Sequence, residues 1–149
     1  GRLLKLRPHL IQSVDSERLL QAINAEAGKQ GIVQDVLLEL HVAAEETKSG
    51  MSVEEFRDLM AAVSGQQYAN VRICGVMGMA TNTDDEAEIR RCFRALHEQY
   101  LAISDQLSVI SSQRSAVRSQ LSMGMSYDYL IALSEGSTMV RIGSAIFKE

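Results

Sequence analysis

The chain has 149 residues, of which 46% are apolar and 23% charged, with ten Gly and one Pro. That composition supports one packed core, leaves no room for a second full domain, and excludes a disordered or fibrous chain. Fifteen Lys and Arg against nineteen Asp and Glu give a net charge of -4, which argues against binding nucleic acid through a broadly basic surface. No apolar run approaches the roughly 20 residues of a bilayer span, and no charged-then-apolar leader opens the chain, so the sequence reads as soluble and cytoplasmic. Cys74 and Cys92 form no CxxC pair, and His9, His41 and His97 are not spaced as metal ligands. Reduced, packed cysteines and no metal site are the expectation.

The first apolar run, residues 10–14, leads into Asp15-Ser16-Glu17, after which Leu19, Leu20, Ile23 and Ala27 recur at helical spacing until Gly31. This predicts a strand, a helix cap and a helix. Residues 36–42 form a second run with little polar alternation, as in a strand covered on both faces. After a polar loop over 43–51, Ser52 and Glu55 have the spacing of a capping box, with Val53, Phe56, Leu59, Met60 and Val63 on the apolar face of the helix that follows. The cycle repeats with a strand over 71–77, a second expected capping box at Thr83 and Glu86, and a helix carrying Ile89, Phe93, Leu96 and Tyr100. Residues 101–119, rich in Ser, Gln and Arg, are compatible with helix extension or loop. A strand over 121–123, a turn at 124–126, a short helix ending at Gly136 and a strand over 138–142 complete five strands.

Strands alternating with helices predict an α/β fold with a parallel sheet and right-handed crossovers. Ligands in such folds sit beyond the carboxyl ends of the strands. The segments to inspect are therefore 43–51, 78–84, 124–128 and 143–145, each of which contains a glycine.

Met123-Gly124-Met125-Ser126 and Gly136-Ser137-Thr138-Met139-Val140-Arg141-Ile142-Gly143-Ser144 are suited to an anion: glycine lets backbone N–H groups approach, and serine adds a hydroxyl donor. Parallel barrels place phosphate sites in the loops after their last two strands. Glycines that merely serve turns and caps are the competing reading. Arg141 lies in an apolar strand and needs a carboxylate, a cluster of carbonyls or a ligand. Lys48, beside Glu45 and Glu46, reads as exposed or salt-bridged and not as a desolvated nucleophile. Lys5, Lys29 and Lys148 look peripheral. Arg90, Arg91 and Arg94 share a helix with Asp84, Asp85, Glu86 and Glu88, as on a solvated face. His41 reads as a satisfied core histidine. Met77, Met79, Met123 and Met125 line a flat aromatic ligand or, more simply, fill the core.

Ser13-Val14-Asp15-Ser16, Lys48-Ser49-Gly50, Gly75-Val76-Met77-Gly78-Met79-Ala80, Leu121-Ser122-Met123-Gly124-Met125-Ser126 and Gly136-Ser137-Thr138-Met139-Val140-Arg141-Ile142-Gly143 occur in the order that resembles the pyridoxal-phosphate homeostasis protein family, whose fold is similar to the N-terminal barrel of alanine racemase. The resemblance runs from about Pro8 to Phe147. It implies a partial TIM-type (β/α) barrel, about strands four to eight of eight, forming a single incomplete domain over 1–149.

The resemblance further implies a non-enzymatic protein that binds pyridoxal 5′-phosphate (PLP) in vitamin B6 homeostasis. Matched position by position, Ser126, Gly143 and Ser144 would hold the cofactor phosphate, Met125 would offer a backbone contact, and Arg141 would lie near the cofactor. The family's Schiff-base lysine, on an early strand, has no counterpart here, so only phosphate-side binding is expected. A barrel of eight strands takes about 250 residues, so five strands leave open edges, and self-association or a companion N-terminal segment is expected. The alternatives are a racemase-like PLP enzyme fragment, for which no pair of catalytic groups is evident, and a ligand-free assembly or engineered scaffold.

Overall fold

The computed structural model describes residues 2–63, 67–111 and 119–147, with residues 104–111 described as backbone only. A short helix α1 (Arg2–Lys5) precedes five strands and four longer helices: β1 (Ile11–Val14), α2 (Glu17–Lys29), β2 (Gln34–Leu40), α3 (Val53–Ala62), β3 (Val71–Gly78), α4 (Glu86–Ser111), β4 (Gln120–Met125), α5 (Tyr129–Ser134) and β5 (Met139–Arg141). A 3₁₀ turn over Ser144–Ile146 follows β5. The strands pair in chain order, β1-β2-β3-β4-β5, and every pairing is parallel.

The sheet curls into a half-barrel, the partial TIM-type architecture expected from the alternation of elements. One contact demonstrates the curl. Ser122 Oγ in β4 donates to Gln12 Oε1 in β1 at 2.7 Å, although in a flat sheet strands three positions apart would be separated by roughly 14 Å.

Alternation along the strands gives the sheet two different faces. Val36, Leu38, Leu40, Val76, Leu121 and Met123 point outward and pack beneath Leu20, Phe56, Phe93 and Leu96 of the helices, forming the main core. Leu37, Cys74 and Met77, with Leu10 against them, form a smaller apolar cluster on the opposite, concave face. That concave side also holds polar groups, because Ser122 is fully buried and still reaches Gln12.

Helix starts follow local chemistry. Ser16 caps α2 by accepting from the Leu19 N–H. Ser52 and Glu55 form the expected reciprocal capping box on α3. The box expected from Thr83 and Glu86 is not the device used. Thr83 accepts from the Asp85 N–H, Asp85 accepts from the Ala87 N–H, and the Glu86 carboxylate turns to Arg90. Asp85 takes over because its short carboxylate sits immediately before the helix and reaches the free N–H two residues on. The ambiguous stretch after residue 100 continues α4 as far as Ser111, and residues 112–118 lie outside the described part.

The arginines of α4 are not simply a solvated face. Arg90 and Arg94 both pair with Glu135 at the end of α5, at 2.8 and 2.9 Å, which ties the last helix to α4. Arg91 pairs with Glu88 and also donates to the carbonyl of Val42. Among the described residues no helix is long and apolar enough to cross a membrane.

Candidate functional site

The segments beyond the carboxyl ends of β2, β3, β4 and β5 meet at one end of the half-barrel. After β4 the chain turns tightly: the buried Asp128 side chain accepts the Met125 N–H at 2.6 Å, and the Asp128 N–H returns to the Met125 carbonyl. Gly124 makes this corner possible. Its φ is +96°, and a Cβ there would lie 2.6 Å from that of Ala132 in α5. The glycine therefore serves close packing, so the competing reading holds at this position.

Ser126 and the segment after β5 are joined directly. The Ser126 hydroxyl oxygen accepts from the Gly143 N–H at 3.1 Å and the Ala145 N–H at 3.3 Å. Both of its acceptor positions are then used, and its own proton remains available to donate. Gly143 and Ser144 are exposed. A Cβ on Gly143 would meet no atom within 4 Å, so the space beside this backbone is open. The Ser144 N–H opens the 3₁₀ turn, where the first N–H groups have no partner within the helix.

Arg141, at the end of β5, extends into the concave side. Its Nη1 donates to Ser122 Oγ at 2.8 Å and to the Ser122 carbonyl at 3.1 Å, and Nη2 donates to the Gly78 carbonyl at 3.1 Å. Of the alternatives open to it in sequence, the structure shows the carbonyl cluster. Among the described residues Arg141 has no carboxylate within 4.0 Å, whereas Arg72, Arg91 and Arg94 each have one and Arg90 has two. Burial draws the Arg141 guanidinium below its ordinary pKa, and the more distant charges of Glu39 and Asp128 partly offset this. The strand therefore carries a half-buried cation satisfied by neutral oxygens.

Met125, Ser126, Arg141, Gly143 and Ser144 thus share the end formed by β4 and β5, with direct bonds from Ser126 to Gly143 and Ala145, and from Arg141 to Ser122. Met125 is partly exposed, whereas Met123 belongs to the main core and Met77 to the concave cluster, so core filling accounts for the latter two. Cys74 and Cys92 are both free and buried. Burial pushes the Cys74 thiol up to about 11, which keeps it protonated and unreactive near neutral pH.

The loops after β2 and β3 close the other side of this end. Lys48 donates to the Ala80 carbonyl at 2.6 Å and pairs with Glu45 at 3.1 Å, as the salt-bridged reading predicts. Glu45 also accepts the Asn82 N–H at 2.9 Å, a bond that holds its carboxyl below the usual range. His41 Nε2 lies 2.8 Å from the Glu45 carbonyl. A carbonyl can only accept, so His41 carries its proton on Nε2 and is a satisfied structural histidine.

Three residues of this region do not stand out in sequence. Glu39 in β2 is 3% exposed and accepts from the Ser49 hydroxyl at 2.6 Å. Gln12 and Ser122 form the cross-barrel bond described above. The available signal was a polar residue inside an apolar strand, which is as clear for Glu39 between Leu38 and Leu40 as for Arg141. Among the described residues, no group of three or more His, Cys, Asp or Glu is arranged to hold a metal.

Residues 2–149 match the family model "Alanine racemase, N-terminal domain". The chain is 36% identical to a pyridoxal phosphate homeostasis protein of Aquifex aeolicus over 94% of its own length and 58% of the relative's. It is 33% identical to one of Helicobacter pylori, covering 99% and 60%. It therefore spans about three-fifths of these relatives' length. Among solved structures, PipY of Synechococcus elongatus with PLP bound superposes with a TM-score of 0.77 at 26% identity, covering 94% of this chain and 61% of that one. Alanine racemase of Streptomyces lavendulae, at 18% identity and a TM-score of 0.59, shares the fold. The chain belongs to the alanine racemase N-terminal domain family, and proteins named pyridoxal phosphate homeostasis protein are among those it is similar to.

Proposed function

We propose that this chain is a non-enzymatic PLP-binding protein of vitamin B6 homeostasis, working in the cytoplasm, and that the end of the half-barrel at β4 and β5 forms the phosphate side of its site. The observation that carries this reading is Arg141. A guanidinium has five N–H groups, three hydrogen bonds hold it from behind, and no carboxylate among the described residues neutralises it. A half-buried cation in that state favours an anionic ligand.

The donor set nearby suits a phosphate. Ser126 offers its proton, Ser144 a hydroxyl and an exposed N–H, and Gly143 leaves open space in which an oxygen can approach the backbone. Met125 lies at the lip of the turn, where its own N–H is already held by Asp128. When bound, PLP would bring an aldehyde capable of reacting with an amine. Among the described lysines, Lys48 is engaged by Glu45 and Ala80, and Lys5 and Lys29 lie outside this end of the barrel. These residues are therefore assigned to binding and orientation, with the covalent lysine of the family lying elsewhere. The similarity to pyridoxal phosphate homeostasis proteins and to PipY with PLP bound supports this reading.

Both outer strands, β1 and β5, have one partner each among the described residues. We extend the proposal to a companion segment or a second copy covering these edges, since open strands expose unpaired backbone groups.

Calorimetric titration of the purified chain with PLP and with inorganic phosphate tests the binding. Saturable binding of both, abolished in Arg141→Met, is expected. Intact mass after borohydride should show no stoichiometric adduct. A flat titration with both ligands overturns the reading, and steady conversion of an amino acid by the PLP-loaded chain would replace it with an enzyme.

A further inference from the structure

We propose that Gln12 and Ser122 are positioning residues for Arg141, fixing its guanidinium before ligand arrives so that its unspent N–H groups face the phosphate end of the half-barrel. This rests on the reading of Arg141 given above and adds two residues that do not touch the ligand.

The chemistry gives the chain of bonds a single direction. Arg141 can only donate, so at 2.8 Å the Ser122 oxygen is its acceptor. The one proton of the Ser122 hydroxyl then points to Gln12 Oε1, 2.7 Å away. Gln12 must therefore present its carbonyl end to Ser122. Ser122 is fully buried, so no water competes for these positions, and each bond orients the next. The Gly78 carbonyl holds the other Nη atom, and the plane of the guanidinium is set by β3 and β4 together. An arginine side chain has many rotamers, and ordering it in advance removes part of the entropic penalty of binding. Gln12 reaches Ser122 only because the sheet curls, so the position of Arg141 is coupled to the closure of β1 over β4.

The test uses the whole chain as Gln12→Leu, Ser122→Ala and the double variant, with PLP and inorganic phosphate as probes. Affinity should fall about five- to twentyfold in each single variant. The double variant should be no weaker than the weaker single one, because both interrupt one chain of bonds. The ¹⁵N–¹H signal of Arg141 Nε, assigned by its loss in Arg141→Met, should be sharp in the parent and broadened by exchange in the variants, a change that a general loss of stability does not produce. Gln12→Glu, which keeps the acceptor but adds a negative charge, should keep the sharp signal and still weaken phosphate binding.

Binding within twofold of the parent in Gln12→Leu and Ser122→Ala, alongside loss of binding in Arg141→Met, overturns the positioning role and leaves the ligand reading standing. An unaltered Arg141 signal in the two single variants overturns it equally. Should Ser122→Ala fail to fold, Gln12→Leu alone decides, because Gln12 lies on an outer strand and is partly exposed. Parent-like binding in Arg141→Met instead removes the ligand reading itself.

Discussion

The Ser126 hydroxyl accepts the N–H of Gly143 at 3.1 Å and so joins the corner after β4 to the corner after β5. Because the same oxygen also accepts from Ala145, its own proton remains to donate, and on the proposed reading it donates to a phosphate oxygen. Ser126→Ala removes that donor and frees the two N–H groups it held. A hydrogen bond to a charged group contributes about 1.5–3 kcal/mol, so the dissociation constant for PLP should rise by about one to two orders of magnitude. Calorimetry on the variant gives the number, and an unchanged affinity would remove Ser126 from the site.

Gly143 separates binding from folding. Its φ of -122° lies outside the left-handed region, and a Cβ would meet nothing within 4 Å. Gly143→Ala should therefore melt within about 2 °C of the parent, in keeping with exposed substitutions that change stability by less than about 0.5 kcal/mol. On the proposed reading PLP affinity should nevertheless drop, because the methyl group would occupy space that a phosphate oxygen needs. Equal affinities for parent and variant would mean that no ligand comes close to Gly143.

Gly124 should behave in the opposite way. Alanine there needs a positive φ and places its Cβ 2.6 Å from the Cβ of Ala132 and 3.1 Å from the Tyr129 Cα, so α5 must move away from β4. Strain of this kind typically costs about 1–3 kcal/mol. Gly124→Ala should lower the melting temperature by several degrees, whether or not ligand is present. A melting curve superimposable on the parent's would show that α5 is not packed against this turn as described.

The alternation of apolar runs and capping residues made the α/β class and all five strands legible, because burial on both sheet faces leaves long apolar segments that are hard to mistake. The Ser52–Glu55 box was legible for the same reason, being a local device. What was not legible depends on distance along the chain. Thr83 and Glu86 have the spacing of a capping box, but Glu86 is drawn to Arg90 and Asp85 takes the cap. Arg141 announced itself as a charge in an apolar strand, yet its acceptors, Ser122 and Gly78, are brought to it only by strand register. Gln12 and Ser122 meet solely through curvature of the sheet, and no spacing rule in one sequence encodes that.

Acid stability supplies a separate check on the α4 surface. The Arg91 guanidinium, followed by the Thr81 hydroxyl, holds the Glu88 carboxyl down at about 2, compared with 4.5 for a free glutamate. A carboxyl lowered in the folded state stabilises it above the unfolded pKa, and that contribution is lost as the pH falls through the folded value. Between pH 5 and pH 2 the unfolded chain binds a proton at this position that the folded chain resists, so stability must decrease toward acid. Glu88→Gln removes this one proton from the balance. It should be less stable than the parent at pH 7, and the gap should narrow steadily as the pH is lowered to 3. Urea midpoints measured across that range test this, and a gap that stayed constant would show that the bonds from Arg91 and Thr81 do not hold Glu88 in solution.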